Sequence, residues 1–124
     1  MAVKQIGYVA VMVKDVARAT EFYTRTFGLT PIPEMSEPGA FTSFKMAGGS
    51  MLGIVDTKRG LEVPDFPDAY ELSFEVDDVE GAYRSWKAAG VQMVGEPHDM
   101  PFGRTFHLRT PDGHTIRIFQ PAPR

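Results

Sequence analysis

The sequence predicts an α+β protein of two βαβββ modules whose sheets form an open barrel that encloses a cavity. Three observations carry this prediction. An alternating strand runs through an aspartate into an amphipathic helix, a hairpin follows around a glycine, and both units recur later in the chain. Asp15 and Asp78 are 63 residues apart, and the hairpin glycines Gly49 and Gly113 are 64 apart. The matching order at a nearly constant offset indicates a duplicated module rather than a chance similarity.

Length and composition narrow the classes of protein to consider. A chain of 124 residues fits one domain, with module 1 at about residues 1–57, a linker at about 58–69 and module 2 at about 70–124. The net charge of −3, without a basic run, argues against nucleic-acid binding. The absence of cysteine excludes disulfides, zinc–thiolate sites and thiol nucleophiles. No apolar stretch is long enough to span a membrane, so we expect a cytoplasmic protein.

The first module begins with an alternating strand that leads into Asp15. An aspartate there accepts a backbone N–H and starts a helix, and Gly28 is placed to end that helix in a left-handed conformation. The stretch 31–39 leaves room for one further short strand, and a hairpin over 41–56 turns at Gly49. The apolar side of the helix contains Val16, Ala19, Phe22, Tyr23 and Phe27.

The second module repeats this order. An alternating strand leads into Asp78, a helix ends near Gly90, the stretch 95–103 leaves room for a further strand, and a hairpin over 105–120 turns at Gly113. The apolar side of this helix contains Val79, Ala82, Tyr83 and Trp86. In each module the helix covers one face of a small sheet and leaves the other open. Two open faces turned toward each other would enclose a cavity, where ligands preferentially bind.

The motifs of both halves together resemble those of a known family. The residues that carry the resemblance are Val13-Lys-Asp15, Glu21-Phe-Tyr23, Phe27-Gly-Leu29, Val76-Asp-Asp78, Gly103-Arg-Thr-Phe106 and Pro111-Asp-Gly-His114. In this order they resemble the vicinal oxygen chelate superfamily, which includes glyoxalase I, extradiol dioxygenases and fosfomycin- and bleomycin-resistance proteins. The resemblance covers essentially the whole chain and implies the fold above and a homodimer, whereas one scaffold of this kind hosts several chemistries.

The resemblance also implies four positions for ligands of a divalent metal ion. By motif register they fall on Tyr8, Gly53, Glu71 and Arg117. Glycine offers no side chain, arginine keeps a fixed positive charge, and a tyrosine phenol must first lose a proton. One glutamate does not supply the three or more protein ligands of a catalytic site. We therefore expect no metal cofactor, and a charge pair of Glu71 with Arg117 in its place.

Strand alternation from these positions predicts which side chains face the cavity, and hairpin pairing together with the family resemblance adds Thr105 and His107. The candidate ligand-binding residues are Tyr8, Met12, Met51, Glu71, Ser73, Glu75, Thr105, His107, Arg117 and Phe119. The opposite parity is almost entirely apolar and fits a helix-covered core; it contains Val9, Val11, Val13, Leu52, Ile54, Leu72, Phe74, Val76, Ile116 and Ile118. One uniformly apolar face and one mixed face support the assignment.

These residues favour a protein that binds a small, partly apolar molecule without a metal. The alternative is a lyase or dioxygenase acting on a small carbonyl or aromatic substrate, with an atypical metal site or metal-independent acid–base chemistry. In that alternative, Glu71 is the candidate base, and His107 or Tyr8 is the candidate proton donor. His107 also fits a packing role with Glu75 as its partner, and the charge pair also fits a purely structural role.

Overall fold

The computed structural model describes residues 6–57 and 72–123. The chain divides into two compact units, Met1–Phe66 and Pro67–Arg124, and the division falls inside the predicted linker. Neither helix of the described residues is long and apolar enough to cross a bilayer. Each unit is an α+β unit with one helix and one sheet, as the sequence predicts.

The first unit contains a three-stranded sheet with the order β1-β3-β2. Strand β1 runs parallel to β3, and β2 runs antiparallel to it. Its elements are β1 (Tyr8–Val13), α1 (Val16–Phe27), a single 3-10 turn (Pro33–Met35), β2 (Phe41–Lys45) and β3 (Met51–Asp56).

Local chemistry places both ends of α1 where the sequence predicts them. The side chain of Asp15 accepts the backbone N–H of Arg18 at 3.0 Å. Gly28 has a φ of 68° and donates its N–H to the Thr24 carbonyl at 3.1 Å. A left-handed residue costs little only when it lacks a side chain, so glycine ends the helix here.

Helix α1 covers one face of the first sheet and forms its core. Tyr23 of α1 is fully buried and stacks on Phe44 of β2, with ring centroids 6.4 Å apart. The hydroxyls of Thr20 and Thr42 form a hydrogen bond of 2.7 Å between the same two elements. The predicted core parity is confirmed, because the buried residues of this face include Val11, Val13, Leu52 and Ile54.

The second unit contains a four-stranded sheet with the order β4-β7-β6-β5. Strands β4 and β7 are parallel, and the remaining pairs are antiparallel. Its elements are β4 (Leu72–Glu75), α2 (Val79–Ala88), β5 (Gln92–Met100), β6 (Gly103–Arg109) and β7 (Thr115–Pro121).

Helix α2 is held at its start by two side chains, only one of which the sequence predicts. Asp78 accepts the N–H of Gly81 at 3.1 Å, and the Gln120 side-chain oxygen at the end of β7 accepts the N–H of Val79 at 3.0 Å. Just beyond the helix, Gly90 adopts a φ of 91°. The helix is therefore tied to the sheet at its first turn.

The core of the second unit centres on an aromatic cluster beneath α2. Phe106 is fully buried and makes edge-on contacts with Tyr83 at 5.3 Å and Trp86 at 6.2 Å between ring centroids. The other fully buried side chains on this face are Leu108, Ile116 and Ile118. The aromatic residues of α2 thus pack in the core, as the sequence predicts.

The stretches 31–39 and 95–103, each of which is predicted to leave room for a further strand, differ in the structure. In the second unit a full strand, β5, forms and pairs with β6 across an irregularity near Val94, which completes βαβββ. In the first unit, the described residues show only isolated bridges, one of which joins Pro31 to Phe44. Pro31 and Pro33 lack the N–H that a longer ladder needs, so the βαβββ prediction is too regular there. The cavity-enclosing barrel stays a prediction.

Candidate functional site

The face of the first sheet opposite α1, here called face 1, presents a mostly apolar surface. The strand register places Tyr8 beside Met51, and Met12 beside Val55. Gly53 lies between Ala10 of β1 and Ser43 of β2. Because cross-strand neighbours share a face, the predicted residues Tyr8, Met12 and Met51 lie on one side of the sheet.

The Tyr8 ring lies over Gly53. A Cβ atom added to Gly53 would overlap the phenol oxygen and Cζ of Tyr8. Tyr8 itself is 45% exposed, so its ring covers the glycine while the opposite side reaches solvent. One aromatic side chain therefore covers two of the predicted ligand positions, and a side chain at position 53 would require the Tyr8 ring to move.

The face of the second sheet opposite α2, here called face 2, holds most of the polar candidates. Arg117 of β7 lies directly between Ser73 of β4 and His107 of β6. In the next row, Phe119 lies between Glu75 and Thr105. Ser73 and Glu75 are exposed, Thr105 is fully buried, and the remaining three are half-buried. The structure thus brings together six of the predicted site residues.

Arg117 is held by an aromatic ring and a buried hydroxyl. Its Nη1 donates a hydrogen bond to Thr105 Oγ1 at 3.1 Å, and its guanidinium carbon lies 5.1 Å from the centre of the Phe102 ring. Phe102 in turn meets Phe119 edge-on, with centroids 6.1 Å apart and ring planes at 79°. Thr105 Oγ1 also donates to the Ile118 carbonyl at 2.8 Å, so this hydroxyl supports Arg117 from within the sheet.

Phe102 is the site residue that the sequence did not reveal. It lies in the turn between β5 and β6, where no strand periodicity assigns a face. The only sequence feature that points to this turn is the neighbouring Gly103. Its φ is 148°, and an added Cβ would collide with the backbone oxygen of Gln120. Together with the hydrogen bond from Ala122 N–H to the Phe102 carbonyl at 2.9 Å, this close approach fixes the turn against the end of β7.

Another arginine, Arg104 of β6, has a different role from Arg117 of β7. Arg104 has the parity of Phe106, on the side of the sheet that α2 covers. It binds Glu80 of α2 at 2.6 Å and Asp99 of β5 at 3.1 Å. The hydrogen bond to Glu80, and to a smaller extent the one to Asp99, raises the pKa of the Arg104 guanidinium. Arg104 therefore links helix and strands, and Arg117 is the half-buried arginine of face 2.

Comparison with known proteins identifies the family. A model of the glyoxalase/bleomycin resistance protein/dioxygenase superfamily matches residues 5–118. The chain belongs to this superfamily. The uncharacterized protein YetH of Bacillus subtilis is 28% identical over 118 residues, which cover 94% of this chain and 98% of YetH. The phenazine antibiotic resistance protein EhpR of Enterobacter agglomerans is 28% identical over 113 residues, covering 87% and 85% of the two chains.

A solved structure of the same superfamily fold matches almost all of the chain. TnmS3, an antibiotic binding protein from a Streptomyces species, superposes with a TM-score of 0.78 at 27% identity and covers 98% of this chain and 99% of its own. The resemblance deduced from the sequence motifs is therefore confirmed at the level of family and fold.

The donor set at the implied metal positions does not fit a divalent cation. Gly53 has no side-chain donor and is covered by Tyr8, while Arg117 carries a fixed positive charge and has no acceptor for a cation. Within 6–57 and 72–123, no three His, Asp or Glu side chains cluster in a way that would hold a metal. Glu71 lies outside the described residues, so its pairing with Arg117 and its predicted catalytic and binding roles stay predictions.

Proposed function

We propose that this superfamily member is a metal-free binding protein for a small, partly apolar molecule. The observation that carries the proposal is the pair of side chains at the implied metal positions. A tyrosine ring covers a glycine on face 1, and a supported arginine stands on face 2. Neither arrangement suits metal catalysis, and both suit contact with an organic molecule.

Each face provides its own kind of contact. Face 1 offers the ring of Tyr8 and the flexible thioethers of Met12 and Met51, which adapt to irregular apolar shapes. Face 2 offers hydrogen-bond donors from Arg117 and His107. The printed descriptions of two relatives support binding as the function, since EhpR is a resistance protein for a phenazine antibiotic and TnmS3 is an antibiotic binding protein.

The proposal is tested by titrating the purified protein with phenazine in a calorimeter, with metal analysis of the same preparation. We expect saturable binding, less than one-tenth of a metal ion per chain, and the same affinity after treatment with EDTA. Loss of binding with EDTA, restored by one equivalent of zinc, nickel, manganese or iron, would show that the site depends on a metal. A Tyr8→Ala variant should bind phenazine more weakly, whereas Lys14→Ala, an exposed change beyond β1, should not.

The acid–base alternative has one specific observation in its favour. His107, whose imidazole can donate or accept a proton, lies directly across from Arg117, a combination that suits proton transfer next to a developing negative charge. The protein would then turn over a substrate such as the methylglyoxal–glutathione hemithioacetal or a catechol. Turnover that is lost in His107→Gln while substrate affinity is kept would favour this alternative over binding alone.

We also propose that the protein is a homodimer, as the family resemblance implies. Sedimentation velocity at micromolar concentration is expected to give a mass near twice the 13.7 kDa of one chain. A single species with the mass of one chain would contradict this proposal.

A further inference from the structure

We infer that the hydroxyls of Ser43 and Tyr8 form a donor pair on face 1 that binds the hydrogen-bond acceptor of a neutral, planar aromatic molecule. The inference rests on the proposed binding function and names the chemical class of the ligand and the atoms that recognise it. Three observations carry it: a buried hydroxyl that the fold does not use, the position of the Tyr8 phenol beside it, and the small, uncharged residues of their row.

Ser43 of β2 is buried, yet its side chain takes no part in the hydrogen bonding of the fold. The residue is 3% exposed, so bulk water has little access to it. Its backbone N–H donates to Ser36 Oγ at 3.0 Å, and its carbonyl accepts the N–H of Ile32 at 2.8 Å. Within 6–57 and 72–123, no group is hydrogen-bonded to the Ser43 hydroxyl. Because an unpaired buried hydroxyl costs free energy, a ligand that supplies its partner explains why it is there.

The pairing of Ser43 with Gly53 directs this hydroxyl toward the Tyr8 ring. Both backbone groups of Ser43 face the segment 32–36, so Ser43 and Gly53 are a non-hydrogen-bonded pair of the β2–β3 ladder. In such a pair the Cα atoms are about 4.5 Å apart and the side chains lie close together. The place that a Gly53 side chain would take is filled by the phenol oxygen and Cζ of Tyr8. The two hydroxyls are therefore neighbours in one row across the sheet.

The shape of this row favours a flat ligand. Ala10 completes the row, so its three positions hold small residues. The rows on either side contain Met51 and Val55, each about 7 Å from Gly53 along β3. A narrow slot between larger side chains suits the edge of a planar ring system. The ring of Tyr8, which is 45% exposed, offers that ring system an aromatic surface to pack against.

The chemistry of the row favours a neutral acceptor. Ala10, Gly53 and Ser43 carry no charge, and Lys45 in the next row is exposed to solvent. An ionised group beside Ser43 would therefore lose hydration without an opposite charge to replace it. Serine and tyrosine hydroxyls both donate hydrogen bonds, and a ring nitrogen or a carbonyl oxygen accepts them. An acceptor at the edge of an aromatic ring system is the group that these two donors recognise, and phenazine has two such nitrogens.

Ser43→Ala separates ligand recognition from folding, because the two should respond differently. Removing a hydroxyl that has no protein partner should leave the urea midpoint unchanged or raise it. Calorimetry should show that phenazine binds about fivefold more weakly, which corresponds to the loss of one hydrogen bond between neutral groups. Either an unchanged affinity for phenazine or a lowered urea midpoint would overturn the inference, while leaving the proposed binding function intact.

Thr42→Val is the matched control, because it removes a hydroxyl from the neighbouring residue on the opposite face of the same strand. Thr42 Oγ1 is hydrogen-bonded to Thr20 Oγ1 at 2.7 Å, so this change should lower the urea midpoint and keep the affinity for phenazine. Equal losses of affinity in Thr42→Val and Ser43→Ala would mean that the strand, not the Ser43 hydroxyl, matters, and would overturn the inference.

Tyr8→Phe tests the second donor, because it keeps the ring and removes only the phenol oxygen. Phenazine should bind at least about threefold more weakly to this variant. Unchanged affinity would overturn the assignment of Tyr8 to the donor pair.

The need for an acceptor is tested with anthracene, which has the shape of phenazine but no nitrogen. Its fluorescence anisotropy, followed below its solubility limit while protein is added, should give the same affinity for the wild-type protein and for Ser43→Ala; no binding to either would equally support the need for an acceptor. Equal weakening of anthracene and phenazine binding in Ser43→Ala would overturn the inference, because shape would then decide. If phenazine fails to bind the wild-type protein, the proposed function and the inference fall together.

Discussion

The buried hydroxyl of Thr105 gives the sharpest test of how face 2 is built. Replacing threonine by valine keeps the shape of the side chain and removes only its hydrogen-bonding group. Thr105→Val therefore deletes the bond donated to the Ile118 carbonyl and the bond accepted from Arg117, at 2.8 and 3.1 Å respectively. Because the side chain has no exposed surface, water cannot replace either partner at that position.

The expected loss of stability follows from these two bonds. A neutral hydrogen bond contributes about 1 kcal/mol net to folding, and one to a charged group contributes about 1.5 kcal/mol or more. Greater burial of the added methyl group offsets about 0.8 kcal/mol. We therefore expect Thr105→Val to lower the free energy of unfolding by about 2 kcal/mol.

Urea unfolding followed by the fluorescence of Trp86, which packs on Phe106 in the second unit, measures this loss. The decisive experiment is a double-mutant cycle with Arg117→Met. If Thr105 holds the guanidinium, part of the cost of Thr105→Val should disappear when Arg117 is absent, with a coupling of about 1 kcal/mol. The same cost in both backgrounds would refute the reasoning, because the hydroxyl would then act only within the strand. Thr105→Ser keeps the hydroxyl and should therefore lower the free energy of unfolding by less than Thr105→Val.

Three further substitutions test the geometry, each by its urea midpoint. Gly53→Ala should displace the Tyr8 ring and lower the free energy of unfolding by about 1 kcal/mol. The same change in a Tyr8→Ala background should cost less. Equal costs would show that the position of the Tyr8 ring does not depend on the glycine. Gly103→Ala places a Cβ against a backbone oxygen at a φ of 148° and should lower the free energy of unfolding by at least about 2 kcal/mol. Gly48→Ala is the control, because Gly48 has open space around it and the change should be nearly neutral. Similar effects of the two changes would contradict the explanation by backbone strain. Asp78→Ala should lower the free energy of unfolding by about 1 kcal/mol, because the helix loses its cap. Asp78→Asn keeps an oxygen that can accept the same N–H, so equal costs of the two changes would count against capping.

What the sequence predicts well is what local chemistry decides. Asp15 and Asp78 start helices because a carboxylate in that position satisfies an otherwise unpaired N–H, whatever the tertiary structure. The alternation of β7 assigns Arg117 to one face and Ile118 to the other because successive side chains of a strand point in opposite directions. Strand period therefore assigns residues such as Met12 and Met51 to one face of a sheet before the structure is known.

What the sequence did not predict depends on contacts between distant segments. Phe102 has no period to assign it, and it reaches Arg117 only because Gly103 lets the turn approach the end of β7. Gln120 caps α2 from a position 41 residues away, which no helix signal within 79–88 contains. In the first unit, Pro31 and Pro33 prevent the strand that the repeat predicts, because neither residue has an N–H to donate to a ladder.

The surroundings of positions 53 and 117 also explain why a single substitution should not create a metal site there. At position 53 a ligating side chain would meet the Tyr8 ring, so that ring would have to move aside. At position 117 a ligating side chain would leave the buried Thr105 hydroxyl without the donor it now accepts from, and would remove the cation from the face of Phe102. Each position therefore depends on a neighbouring side chain, so substitutions at 53 and 117 should not act independently of Tyr8 and Thr105.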